Sequence, residues 1–141
     1  MNTFARTVAA ATLALAGPAT YAVAQQVEFP EKCKAEMSKP AGMEGHGMDM
    51  PGMAGMSDHQ KESMEGMKTM HMNMMQGMMK EDADVAFACG MIAHHMGAIS
   101  MAEVELKHGD NEEAEAKAQK TIDDQTKDIE ELAAWVEQEV K

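Results

Sequence analysis

Imidazole and thioether side chains recur at helical spacing in two stretches of this sequence. In residues 57–80, methionines and one histidine fall on a single arc of a helical wheel. In residues 82–108, the adjacent pair His94-His95 stands among further methionines. Thioether sulfur is a soft, neutral ligand that selects Cu(I), and imidazole binds copper in either oxidation state. The residue types and their spacing therefore predict a copper site built on two helices.

The candidate ligands fall into three groups. On the 82–108 helix they are His94, His95, Met91, Met96 and Met101. On the 57–80 helix they are His59, Met67, Met70, His71, Met74, Met75 and Met78. In the segment before it they are His46, Met48 and Met50. We expect mainly Cu(I) at these sites, weaker Cu(II) binding through histidine, and binding of Ag(I) by the same soft ligands.

The two adjacent histidines are expected to serve different sites, because neighbouring helical residues diverge by about 100°. One broad apolar arc of the 82–108 helix comprises Phe87, Met91, His95, Ala98, Ala102 and Leu106. His95 lies near its middle and is predicted to meet the thioethers of the 57–80 helix. His94 lies on the flank near Met101 and is predicted to form a more accessible site. The alternative for His95 is a core histidine that is hydrogen-bonded by Gln125 or by a backbone carbonyl.

A methionine stripe is usually hydrophobic core. Here, however, Val, Ile, Leu, Phe, Tyr and Trp are all absent from Pro30 through Asp84, while 13 methionines lie between Met43 and Met79. Leu or Ile would specify a core better than flexible Met, so the bias indicates a need for the thioether itself. A methionine-lined groove for apolar helices of another protein remains an alternative.

Local signals predict where the first two helices lie. Pro30 can begin a short helix that continues to about Ser38. A capping box at 57–60 opens a helix that runs to about Lys80. Gly66 and Gly77 each weaken this helix by about 1 kcal/mol relative to alanine. We therefore expect it to depend on its neighbours or on metal.

Two further helices complete the predicted bundle. Asp82 or Asp84 caps the 82–108 helix, and Gly109 is placed to end it in a left-handed turn. A capping box formed by Asp110 and Glu113 opens a last helix that runs to about residue 140. Its apolar stripe comprises Ala114, Ala118, Ile122, Gln125, Ile129, Leu132, Ala133 and Val136, with Trp135 at the edge.

Residues 1–24 have the composition of a secretory signal peptide. One arginine precedes a short apolar run, and Ala22-Val23-Ala24 is a cleavage site of A-x-A type. We expect cleavage after Ala24, although an uncleaved anchor is the alternative. Residues 25–56 are then a flexible Met/Gly-rich segment and residues 57–141 a helical domain. No other segment is expected to cross a membrane, so the mature protein is predicted to be soluble and periplasmic.

The formal net charge of the chain is −12. Nucleic-acid binding needs a cluster of Lys and Arg that displaces counterions, so this charge argues against it. Acidity suits cation partners, but it is chiefly a property of a solvated surface.

Cys33 and Cys89 are the only cysteines. In an oxidising compartment the default is a disulfide, which would stabilise the fold by about 4 kcal/mol in the chain-entropy model. The alternative is thiolate ligation of a soft metal, with Cys89 two residues before Met91.

Residues 84–136 resemble the family of unknown-function domains numbered 305. The resemblance rests on Phe87, Met91-Ile92, His94-His95, Ala98-Ile99, Met101-Ala102, His108-Gly109, Ala118-Gln119, Gln125 and Trp135. It implies a ferritin-like all-α bundle of three to four helices and, in CopM-like members, periplasmic copper binding and copper resistance. Family members often have Pro, Gln and Asp where this chain has Ala93, Met96 and Ser100, so the ligand set can differ from the usual one.

Copper buffering, trafficking or resistance needs many labile ligands and no positioned acid–base pair, which suits a non-enzymatic protein. A second exported copper protein is a candidate partner. A ferritin-type dinuclear oxidase needs two Glu-x-x-His motifs and two further glutamates, and only Glu105-x-x-His108 has that spacing. A structural interaction module is the third class.

Overall fold

The computed structural model of the chain describes residues 27–35 and 55–140. Over these ranges the protein is all-helical, as predicted. A short 3₁₀ turn at Glu31–Cys33 precedes three helices, α1 (Asp58–Met78), α2 (Ala83–His108) and α3 (Glu112–Glu139). The connections between consecutive helices are short, so α2 runs antiparallel to both of its neighbours.

Side-chain caps explain where α1 and α2 begin. The Ser57 hydroxyl accepts from the Gln60 backbone N–H, and the Gln60 side chain accepts from the Ser57 N–H, which completes the predicted capping box. At the start of α2, the Asp82 carboxylate accepts from the N–H groups of Asp84 and Val85. Of the two predicted caps, Asp82 is therefore the one used.

The turn between α2 and α3 differs from the prediction at two residues. Asn111, not Asp110, caps α3, because its side chain accepts from the N–H groups of Glu113 and Ala114. Gly109 has φ −71° and is extended rather than left-handed. Glycine is required at this position for a steric reason instead, because a Cβ there would lie 2.6 Å from the Glu105 carbonyl oxygen. The predicted helix after Pro30 is a single 3₁₀ turn within the described residues.

α2 is the central helix, and α1 and α3 each pack on it rather than on one another. By length and hydropathy α2 could cross a membrane, contrary to the expectation that no segment after the leader could. Burial between two more polar helices accounts for that hydropathy in a folded domain. The absence of a membrane span in the mature protein stays a prediction.

The buried core contains no methionine from the described residues. It is formed by Phe29, Cys33, Val85, Ala88, Cys89, Ile92, Ala93, Ile99, Ala102, Ala118, Ile122, Ile129 and Val136. The predicted stripe of α3 supplies its part of this core, with Leu132 and Ala133 packed against it. Phe87 is 65% exposed, so its place on the predicted apolar arc of α2 does not make it a core residue.

Residues 27–35 are linked covalently to the helices by a disulfide between Cys33 and Cys89, as predicted. Both cysteines are fully buried. Lys32 reaches the end of α3, where its Nζ donates to the carbonyl oxygens of Glu137 (2.9 Å) and Val140 (2.6 Å). The Lys80 Nζ donates to the Lys34 carbonyl oxygen at 2.7 Å. Residues 27–35 therefore close the end of the domain at which α1 ends, α2 begins and α3 ends.

Several predictions fall outside the described residues. They are the signal peptide at 1–24, the greater part of the Met/Gly-rich segment, and the candidate ligands His46, Met48 and Met50.

Candidate metal centre

Glycines form the contact between α1 and α2. A Cβ on Gly77 would lie 2.8 Å from the Cys89 backbone carbon, and a Cβ on Gly66 would collide with Ser100 Oγ. On the other helix, Met70 fills the space above Gly97. The two glycines that weaken α1 as an isolated helix therefore let its backbone approach α2 closely.

The small-residue side of α1 faces α2, so most of its methionine arc is left facing solvent. Met67, Met75 and Met78 are 45–62% exposed, and His71 is also exposed. Met64 and Met74 are half-buried, and Met74 packs against the core. Successive members of this arc are three or four residues apart, which places their Cβ atoms about 5–6 Å apart.

His94 and Met101 border the same contact from α2. His94 lies four residues after Gly90 and three before Gly97, on the same side of the helix. Gly97 is covered by Met70, and a Cβ on Gly90 would lie 3.8 Å from Met78 Cγ. His94 and Met101 are both exposed. His94 therefore stands beside the methionine arc of α1.

The opposite side of the α1–α2 pair has different chemistry. It carries an open cleft that involves Met96 of α2 and the polar side chains Glu62, Glu65, Thr69 and Asn73 of α1. These α1 residues lie roughly opposite the methionine arc at about 100° per residue. Met96 is accordingly on the far side of α2 from His94 and is not brought to the same place.

We call the exposed surface formed by α1 and α2 on the His94 side the thioether face. Its members are Met64, Met67, His71, Met74, Met75, Met78, His94 and Met101. The contacts of Gly77 with Cys89 and of Gly66 with Ser100 set the antiparallel register. That register puts His94 level with His71 and Met74, and Met101 level with Met64 and Met67. Two groups of soft ligands thus lie side by side along the face.

His95 is on the side of α2 turned away from α1. It lies roughly 120–160° around the helix from Cys89 and Gly97, which contact α1. The expectation that His95 meets the α1 thioethers is therefore wrong, and the histidine beside them is His94. The rings of His94 and His95 diverge, with centroids 5.9 Å apart and planes at 69°.

One atom of His95 is notable among the described residues. Its Nδ1 is buried and has no hydrogen-bond partner, and no other side-chain nitrogen or oxygen of the described residues is in this situation. Neither Gln125 nor a backbone carbonyl satisfies this atom, contrary to the core-histidine alternative. An unpartnered buried polar group costs about 1–3 kcal/mol. Met91, four residues earlier on the same side, is the nearest thioether by helical spacing.

The remaining histidines meet at the other end of α1. His108 Nε2 lies 3.1 Å from Glu62 Oε2, and the His59 ring is 6.1 Å from that of His108. Hydrogen bonds from Lys107 and His108 lower the pKa of Glu62. His59 Nδ1 is 2.9 Å from Ser57 Oγ. Within the described ranges, no three His, Cys, Asp or Glu side chains are grouped to hold a metal.

Residues 10–136 match the model of the family described as a domain of unknown function, DUF305. The chain belongs to the DUF305 family. No curated protein matches it.

In this DUF305 chain, the sequence-predicted ligands separate into distinct places. The face brings together Met67, His71, Met74, Met75, Met78, His94 and Met101, with Met70 beneath it at Gly97. Met96, His95 with Met91, and His59 each lie elsewhere. Met64 lies on the predicted methionine arc and belongs to the face, but it is not among the predicted ligands. The seven-residue spacing of Gly90 and Gly97 is the sequence signal that could have located the contact.

Proposed function

We propose that this DUF305 protein is an exported copper-binding protein that holds several Cu(I) ions on its thioether face. Its role would be copper buffering, trafficking or resistance, as in CopM-like members of the family. Silver would bind through the same ligands, and Cu(II) would bind more weakly through histidine.

The observation that carries this proposal is the position of the methionines. None of those described is in the buried core, and six are at least 45% exposed. Apolar side chains that serve only to fill a core would be inside it. Thioethers that are held in rows at a surface, next to an exposed imidazole, are available to a soft cation. Three or four such neutral donors suit Cu(I), which needs no anionic ligand from the protein.

His94 adds an imidazole donor to the thioethers of the face. It is level with His71 and Met74, so an ion there can take imidazole nitrogen and thioether sulfur from two helices. His95 and Met91, on the other side of α2, form a separate candidate pair. The Nδ1 of His95 has no hydrogen-bond partner, but it is buried.

The test is an anaerobic Cu(I) titration against a colorimetric chelator. The variant Met67→Leu, Met78→Leu, Met101→Leu keeps the size and apolarity of the face but removes three sulfurs. The control is Met72→Leu, Met79→Leu, since these methionines are 55% and 66% exposed but lie about 100° or more around α1 from Met67 and Met78. We expect the face variant to lose bound Cu(I) and the control to retain it.

An apolar docking surface for another protein is the second candidate. It is favoured by Phe87, which is 65% exposed and lies about four turns before Met101 on the same side of α2. The same leucine variant separates the two functions, because Leu preserves an apolar groove but not a soft-metal site. Unchanged Cu(I) binding in the face variant would contradict the copper assignment.

A further inference from the structure

We infer that the exposed methionines of the helical domain are sites of reversible oxidation, and that their conversion to sulfoxides abolishes Cu(I) binding while the domain stays folded. The copper part of this inference rests on the proposed function, whereas the oxidation sites and the survival of the fold do not depend on it. The methionines concerned are 45–66% exposed and comprise Met67, Met72, Met75, Met78, Met79 and Met101.

Thioethers are the most readily oxidised side chains that this domain presents to solvent. A free thiolate would react first, but the chain has two cysteines, and the disulfide between Cys33 and Cys89 uses both. These two residues are also fully buried. Among the described residues, an oxidant in solution therefore meets the exposed methionines first. Methionine sulfoxide is a reversible product, because dedicated reductases convert it back to the thioether.

The oxidant is hydrogen peroxide in the surrounding solution. A lone pair of the methionine sulfur attacks one peroxide oxygen, so that an S–O bond forms while the O–O bond breaks. The departing hydroxide takes the proton of the transferred oxygen and leaves as water, and the peroxide is reduced by the electron pair that sulfur gives up. In the return step, a pair of reductase thiols supplies the electrons and becomes a disulfide, and the sulfoxide oxygen leaves as water.

Oxidation removes the property for which Cu(I) selects these side chains. A thioether sulfur is a soft, neutral donor, whereas a sulfoxide presents a polar oxygen, which is a poor ligand for a soft ion. On the thioether face this change affects the exposed Met67 and Met78 of α1 and Met101 of α2. His94 keeps its imidazole but loses the thioether donors beside it. Cu(I) binding on the face is therefore lost.

The fold, by contrast, does not depend on the exposed sulfurs. No methionine of the described residues belongs to the buried core, whose fully buried side chains include Ile92, Ile129 and Val136. Oxidation disrupts a protein when it makes a core side chain polar, but at the exposed positions the sulfoxide oxygen faces water. Met74 and Met96 are half-buried and pack against the core. We therefore expect these two to react later and to lower the stability when they do.

The experiment treats the metal-free full chain with hydrogen peroxide and follows three signals. Peptide mass spectrometry locates the sulfoxides, circular dichroism measures helicity, and anaerobic competition measures Cu(I) binding after the peroxide is removed. We expect Met67, Met78 and Met101 to be oxidised before Met74 and Met96. Cu(I) binding should then be lost while helicity is retained, and treatment with a methionine sulfoxide reductase should restore the binding. Helicity lost together with Cu(I) binding would overturn the inference. Cu(I) binding that is unchanged after the three exposed methionines are oxidised would also overturn it, while leaving copper binding itself intact.

Protection by Ag(I) identifies the sulfurs that bind the metal. Ag(I) is the probe because it takes the same soft ligands as Cu(I) and is not oxidised by peroxide. Bound Ag(I) should protect Met67, Met78 and Met101 from peroxide but leave Met72 and Met79 reactive, although these two are 55% and 66% exposed. Equal protection of all five methionines would overturn the inference. No Cu(I) binding by the untreated chain would instead refute the proposed function itself.

Discussion

Replacing Gly77 by alanine tests the close contact that turns the methionine arc of α1 outward. The new Cβ would lie 2.8 Å from the Cys89 backbone carbon and 2.9 Å from Cys89 Cβ. Cys89 cannot move away easily, because it is inside α2 and bonded to Cys33. Overpacking of this kind costs about 1–3 kcal/mol, and the better helix propensity of alanine returns up to about 1 kcal/mol. We expect a net destabilisation of about 1–2 kcal/mol.

Gly90→Ala is the matched control on the neighbouring helix. Its Cβ would meet only Met78 Cγ at 3.8 Å, an ordinary van der Waals distance. The propensity gain is then unopposed, so this variant should be more stable than wild type by about 1 kcal/mol.

Urea unfolding followed by circular dichroism, with the disulfide intact, gives both values. Thermal midpoints should move in opposite directions, by about 4–8 °C per kcal/mol for a domain of this size. If Gly77→Ala stabilises the protein as much as Gly90→Ala does, α1 does not pack on α2 through its glycines. The assignment of the thioether face would then fail with it.

Three other predictions concern pH and redox state. Cu(I) binding should persist at pH 5 while Cu(II) binding is largely lost, because thioethers do not titrate, whereas a histidine must lose its proton to bind a metal. Equal loss of both in competition titrations would contradict the ligand assignment. The pKa of Glu62 is lowered from 4.5 by Lys107 and His108, so its contribution to stability is complete above that pH and disappears as the pH falls through the lowered pKa. The urea midpoint of Glu62→Gln should therefore lie below that of wild type at pH 7, and the gap should close as the pH falls through the lowered pKa. A gap that does not close on acidification would exclude this ion pair as the cause. Reduction of Cys33–Cys89 should lower the free energy of unfolding by about 4 kcal/mol, which is measured by urea unfolding with and without reductant. An unchanged midpoint would show that the cross-link does not constrain the unfolded chain.

Local sequence signals determined much of the fold. The capping box at Ser57 and the cap at Asp82 act over three residues, so they could be predicted without knowing any tertiary contact. The disulfide was the expected state of two cysteines in an oxidising compartment, and the bond between Cys33 and Cys89 replaces the alternative of thiolate ligation. The cap of α3 was misplaced by one residue, since Asp110 and Asn111 are both good caps and only the turn geometry selects Asn111.

The tertiary structure decided which side of each helix packs against its neighbour. Helical periodicity determines the angles between residues of one helix, but not which of its sides meets a neighbour. On α1 the methionine arc is the more apolar side, yet the glycine side packs, because it lets two backbones approach within contact distance. On α2 the same choice separates His94 from His95. The sequence alone identified soft ligands at helical spacing, and the close contact of Gly66, Gly77 and Gly97 decided which of them share an exposed surface.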